Sequence, residues 1–123
     1  MEVLGITEKA LEYYKDNVKG NKSINPDQAV LKMIRNVRLV KETHPKRVKK
    51  RLFHTQYAYG NMLIKVNRKK QVFEIINKSG NESYDPDWKF PKRRYIELNK
   101  ELGIKDCKFT KTTYSKVKQT NTK

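Results

Sequence analysis

The dipeptide Gly60-Asn61 separates two runs whose residues alternate between apolar and polar, and no other feature restricts the fold as tightly. Residues 52 to 59 and 62 to 67 read as the arms of a β-hairpin, because a two-residue loop with Gly first supplies the type II′ turn that matches strand twist. Such a turn sets the register. Tyr59 faces Met62, Ala58 faces Leu63, Tyr57 faces Ile64, Gln56 faces Lys65 and His54 faces Asn67. One face then carries Phe53, Thr55, Tyr57, Tyr59, Met62, Ile64 and Val66, and the other His54, Gln56, Ala58, Leu63, Lys65 and Asn67. The first is a core face and places Tyr57 and Tyr59 in the core. A third strand, 71 to 77, follows the turn Arg68-Lys69. If Val66 opposes Gln71, Phe73 and Ile75 join the core face, while Val72, Glu74 and Ile76 join the other.

A core face needs a cover, and two amphipathic helices precede the hairpin. The first starts at the N-cap Thr7 and aligns Ala10, Leu11, Tyr14 and Val18, with Gly20 where a left-handed stop belongs. The second starts at Asn25, with Pro26 in its first turn and Gln28 closing a capping box, and aligns Ala29, Val30, Met33, Ile34 and Val37. After Leu39 and Val40, Pro45 interrupts any helix, so the stretch 41 to 51 reads as a basic loop. A long loop spans Lys78 to Phe90, and a third helix spans Pro91 to Leu102, ended by Gly103. The predicted fold class is α+β: two N-terminal helices packed on a three- to four-stranded antiparallel meander, then a third helix. Residues 1 to 104 form one domain, and 105 to 123 form a basic, mobile tail.

Charge is unevenly placed along this framework. The chain has 29 Lys and Arg against 13 Asp and Glu, a formal net charge of +16. Residues 1 to 40 carry 7 basic and 5 acidic groups, and 71 to 104 carry 6 of each, whereas 41 to 70 carry 10 against 1. A solvated face mixes signs; a single-sign run of this density predicts a polyanionic partner, which relieves self-repulsion and releases counterions on binding. The expected contacts are Lys46, Arg47, Lys49, Lys50, Arg51, Arg68, Lys69 and Lys70, with Arg93 and Arg94 on the third helix. Tyr84, Trp88 and Tyr95 lie near Lys89, Lys92, Arg93 and Arg94 and are candidates to stack on unpaired bases.

Several classes are disfavoured. Apolar runs are too short for a membrane span, and the N-terminus lacks the pattern of a secretory signal, so a cytoplasmic protein without a membrane partner is expected. One cysteine, Cys107, and two histidines cannot build a Cys and His zinc cluster, and neither metal nor cofactor is expected. A winged-helix DNA binder would need a recognition helix rich in Arg, Asn and Gln, whereas the second helix commits its surface to an apolar stripe.

The hairpin register puts His54, Lys65 and Glu74 on the face away from the helices. Metal-free RNA cleavage needs a base for the 2′-hydroxyl, an acid for the leaving oxygen and a cation for the phosphorane. His54 and Glu74 are the candidates for proton transfer, and Lys65, with Arg51 or Arg68, for charge stabilisation. The same three residues also fit cross-strand polar pairing with no chemistry. His44, next to Pro45, reads as a solvated loop residue.

The stretches Ile6-Thr-Glu-Lys-Ala-Leu-Glu-Tyr-Tyr14, Pro26-Asp-Gln-Ala-Val-Leu-Lys-Met-Ile-Arg-Asn36 and Tyr57-Ala-Tyr-Gly-Asn-Met-Leu-Ile-Lys-Val-Asn67, in the order helix, helix, meander, resemble small ribonuclease toxins of the RelE, barnase and colicin-nuclease type. The resemblance covers residues 6 to 77 and is one of pattern. It implies helices on one sheet face, RNA cleavage on the other, and an antitoxin as partner. The first helix departs from it, reading Thr7-Glu8-Lys9-Ala10 where one such family has a histidine. The competing expectation is a non-catalytic, phage-type inhibitor that occupies the guide RNA or nucleic-acid channel of an RNA-guided nuclease, as an anti-CRISPR protein does. RNA is expected over DNA through the toxin resemblance alone.

Overall fold

The computed structural model describes residues 3–18, 21–77 and 88–105. The expected Gly20 stop, most of the 78 to 90 loop with Tyr84, Cys107 and nearly all of the basic tail lie outside the described residues. Among the described residues the fold is α+β, with three α-helices and one five-stranded mixed sheet.

Local signals place the helices. Helix α1 (Glu8–Asn17) is capped by Thr7, whose hydroxyl accepts from the Ala10 N–H at 3.3 Å. Helix α2 (Pro26–Thr43) is capped by Asn25, whose Oδ1 accepts from the Asp27 N–H at 2.8 Å. Gln28 does not close a capping box. Its Nε2 donates to the Gly103 carbonyl at 3.3 Å and its Oε1 accepts from the Lys105 N–H at 2.9 Å, tying the start of α2 to the end of helix α3 (Lys92–Leu102). Gly103 ends α3 with φ 71, the left-handed conformation a glycine adopts without penalty.

Helix α2 is longer than the apolar stripe predicts and is buried on two sides. Ala29, Met33, Val37 and Val40 face the sheet, whereas Leu39 packs with Tyr95 and Leu98 of α3. Leu39 and Val40 are therefore part of the helix, which continues past them to Thr43. Arg35 lies 4% exposed on the α3 side, where a buried charge needs a full set of partners. Its Nε donates to Asn36 Oδ1 and its Nη1 to Asn99 Oδ1, both at 2.9 Å, and its guanidinium lies 4.3 Å from the centre of the Tyr95 ring.

The hairpin has the predicted register. Strands β3 (His54–Tyr59) and β4 (Met62–Asn67) pair from Tyr59↔Met62 to His54↔Asn67. Gly60 has φ 58 and Asn61 a negative φ, as a type II′ turn requires. Two short strands extend the sheet beyond the expected meander. Strand β1 (Gly5–Ile6) runs parallel to β5 (Gln71–Asn77). Strand β2 (Val48–Lys50) pairs antiparallel with β3, so part of the expected basic loop is an edge strand. Pro45 breaks α2 as predicted, but it starts a 3-10 turn over Pro45–Arg47 that delivers the chain to the sheet edge. Strand order is β1-β5-β4-β3-β2.

The register between β4 and β5 departs from the expected one. Lys65 opposes Glu74 and Val66 opposes Val72, with a bulge between the two pairs. The extra residue exchanges two side chains: Val72 is fully buried, and Phe73 turns to the other face, 5.4 Å edge-on to His54. Phe53 also leaves the core. It lies in the bend that joins β2 to β3 and is 66% exposed. The core lies between α1 and α2 and the inner face of the sheet, around Tyr14, Met33, Tyr57, Ile64, Val66 and Ile75. No described helix is long and apolar enough to cross a membrane.

Candidate nucleic-acid interface

The pairing of four strands writes one row across the outer face of the sheet. Lys49 of β2 opposes Gln56 of β3, Gln56 opposes Lys65 of β4, and Lys65 opposes Glu74 of β5. At the usual interstrand spacing this row is about 14 Å long. Lys65 Nζ and Glu74 Oε1 are 2.8 Å apart. Side-chain exposures of 20% and 48% put the pair in a solvated setting, worth under about 1 kcal/mol. His54 shares the face, but its partner is Gln56, with the two Nε2 atoms 3.1 Å apart. Lys65 and Glu74 are thus in direct contact, whereas the contacts of His54 are with Gln56 and the Phe73 ring.

Beside this row, two connections meet at one end of the sheet. The bend Arg51 to Phe53 leads from β2 into β3, and the turn Arg68 to Lys70 leads from β4 into β5. Asn67 shapes the second turn: its Oδ1 accepts from the Lys69 and Gln71 N–H groups at 2.9 and 3.0 Å, and Lys70 takes the left-handed φ of 65. Arg68 crosses between the two connections, donating from Nη2 to the Leu52 carbonyl at 3.2 Å. Arg51, Arg68, Lys69 and Lys70 are exposed on this rim, with Lys49 and Lys50 on the adjoining edge strand.

The remaining expected contacts lie elsewhere. Lys46 is exposed in the 3-10 turn, toward the Gly60 end of the sheet. Arg47 is engaged with the hairpin backbone, donating from Nε to the Ala58 carbonyl and from Nη2 to the Gly60 carbonyl, both at 2.8 Å. Arg93 and Arg94 are on α3, which packs against α2 and not on the outer sheet face. Arg93 is exposed, whereas Arg94 lies 2.7 Å from Glu42 and also contacts Glu97 and Glu101. Six of the ten basic residues therefore form one neighbourhood, and four do not join it.

The stacking candidates change as well. Trp88 packs 4.5 Å from His44 and 5.3 Å from Tyr59, with its indole nitrogen near Gly60, and Tyr95 is 4% exposed beneath Arg35. Both rings support the fold. His44 is not a solvated loop residue: it caps α2, and its Nε2 accepts from the Lys89 N–H at 3.3 Å. The aromatic group that does stand at the basic rim is Phe53, which alternation had assigned to the core. The signal that could have found it is the unbroken Arg51-Leu52-Phe53-His54, where a strand cannot alternate and also leave the basic run.

The Arg94 hydrogen bond holds the Glu42 carboxyl below the usual carboxylate range, with burial opposing and the Arg94 and Arg38 charges assisting. A lowered folded-state value means the pair contributes stability above the unfolded value, and that contribution is lost as pH falls through the folded one. Glu42→Gln is expected to flatten the decline in melting temperature between about pH 5 and pH 3, with little change at pH 7 beyond the sub-kcal/mol loss of a surface pair. Thermal melts of both proteins across that range check this.

Among the described residues, no three His, Cys, Asp or Glu side chains cluster as metal ligands. No solved structure matches the chain. The SPbeta prophage-derived uncharacterized protein YorE of Bacillus subtilis (strain 168) is 82% identical over 116 residues, covering 94% of each chain. The YorE family model matches residues 4–101, and the chain belongs to that family.

Proposed function

We propose that this protein binds RNA through the end of its sheet, with the phosphate backbone lying on Lys49, Lys50, Arg51, Arg68, Lys69 and Lys70. The observation that carries the reading is that two runs of three cations, 49–51 and 68–70, are brought to one end of the sheet by the β2 to β3 and β4 to β5 connections. Glu42, the one acidic residue in the 41 to 70 stretch, faces Arg94 and leaves the rim cations unopposed from within that stretch. Six such cations engaged at once amount to a salt-sensitive site, since each displaces counterions from the polyanion. The preference for RNA over DNA comes from the resemblance to ribonuclease toxins.

Cleavage is the second reading, favoured by the placement of His54, Lys65 and Glu74 on one face beside the cations. The Lys65–Glu74 ion pair opposes it in the free protein, because the ammonium that would stabilise a phosphorane already faces a carboxylate. Binding without chemistry fits an inhibitor of an RNA-guided nuclease, and cleavage fits a toxin with an antitoxin partner. The prophage origin of the Bacillus subtilis relative accommodates either. Labelled RNA incubated with the protein in EDTA distinguishes them. Intact RNA with a mobility shift that weakens as salt rises supports binding alone. Cleavage abolished by His54→Ala and by Glu74→Ala supports the nuclease, and no shift at low salt overturns the proposal.

A further inference from the structure

Large apolar side chains at a turn are usually folded back under the sheet, and turn positions favour Gly, Asn, Asp and Ser. The bend between β2 and β3 does the opposite. Leu52 is 75% exposed and Phe53 is 66% exposed, next to Arg51 in the chain and against Arg68 of the turn that continues into Lys69 and Lys70. The Phe53 ring is held in a particular way: the Arg68 guanidinium carbon lies 5.5 Å from its centre, and the Leu52 carbonyl accepts from Arg68 Nη2 at 3.2 Å. The backbone thus steadies the cation that backs the ring. An exposed aromatic with a guanidinium behind it and further cations around it matches the demands of a nucleotide, which offers a π-face and a phosphate together.

We infer that Phe53 is a stacking platform for an unpaired base, so that the rim takes single-stranded RNA in preference to duplex. The inference rests on the RNA-binding reading and adds the form of the substrate to it. Charge selects a polyanion, and the exposed ring selects among polyanions. In a duplex both faces of each internal base are occupied by neighbouring bases, leaving the ring no partner. In a single strand a base can turn out and rest on Phe53, while its flanking phosphates reach Arg51 on one side and Lys69 or Lys70 on the other. Leu52 supplies apolar contact at the edge of the same base.

The test uses the full chain and fluorescence anisotropy with a labelled 12-nucleotide RNA, its duplex, and inorganic polyphosphate. Wild type should bind the single strand more tightly than the duplex. Phe53→Ala should weaken single-strand binding by about 5- to 150-fold while leaving duplex and polyphosphate affinities and the slope against log salt unchanged. Phe53→Trp should retain binding, and 2-aminopurine in the RNA should be quenched by wild type and by Phe53→Trp but not by Phe53→Ala. Equal single-strand affinities for wild type and Phe53→Ala, with salt-sensitive binding intact, overturn the stacking role alone. Absence of salt-sensitive binding to any of the three polyanions overturns the RNA reading as well. Binding to phosphatidylserine vesicles that is lost in Phe53→Ala, with RNA affinity unaffected, assigns the rim to a lipid surface and overturns the inference.

Discussion

Replacing Lys49, Lys50, Arg51, Arg68, Lys69 and Lys70 with glutamine is expected to lower RNA affinity by at least about a thousandfold at low salt and to reduce the slope of log affinity against log salt by about 4, at about 0.7 per lost contact on a single strand. The effect is large because these exposed residues flank the β2 to β3 and β4 to β5 connections at one end of the sheet, where a single strand of phosphates would pass. Position matters more than count. Lys46 and Arg93 lie away from that rim, and the double replacement Lys46→Gln with Arg93→Gln should leave the slope within error of wild type. The sextuple variant should melt no lower than wild type, since removing crowded like charges relieves repulsion. A slope equal to wild type in the sextuple variant would remove this surface from consideration. An equal loss from the double variant would show that only net charge matters.

The largest expected effect on stability is at Ile64, which is completely buried in β4, opposite Tyr57 on one side and Ile75 on the other. Ile64→Ala deletes three carbons facing the α2 residues that cover the sheet and should destabilise the fold by about 2–5 kcal/mol. Against a total of roughly 5–15 kcal/mol, that lowers the melting temperature by about 10 °C or more. Phe53→Ala removes a larger side chain yet should stay within about 0.5 kcal/mol of wild type, because an exposed ring has little burial to lose. Urea denaturation of the two variants tests the pair. A loss at Phe53 comparable to that at Ile64 would mean that the ring is packed in solution and is not a platform.

These contrasts mark how much was legible in the chain. Thr7 and Asn25 announce their helices because a cap depends only on residues two or three positions away. The β3 to β4 register is equally readable, since Gly60-Asn61 and strict alternation leave one pairing that buries a single face. Gln28 shows the limit of local rules. It stands where a capping box would need it, yet the end of α3, 75 residues on, offers better partners for its amide.

The candidate site divides in the same manner. By itself the sequence determined that positive charge concentrates between residues 41 and 70, that His54, Gln56 and Lys65 share the sheet face away from the helices, and that Glu74 joins them. Those statements follow from composition and from side-chain periods, which are local properties. Only the tertiary structure decided which cations meet. Lys49 enters the row because Val48–Lys50 adds to the sheet edge, a pairing that one partly buried valine could not announce. The bulge between Lys65 and Val66 brought Phe73 to His54, and the β2 to β3 bend left Phe53 outside the core. Edge pairing, bulges and bends are settled by competition among distant segments for one core and one set of backbone partners, and no window of neighbouring residues contains that competition.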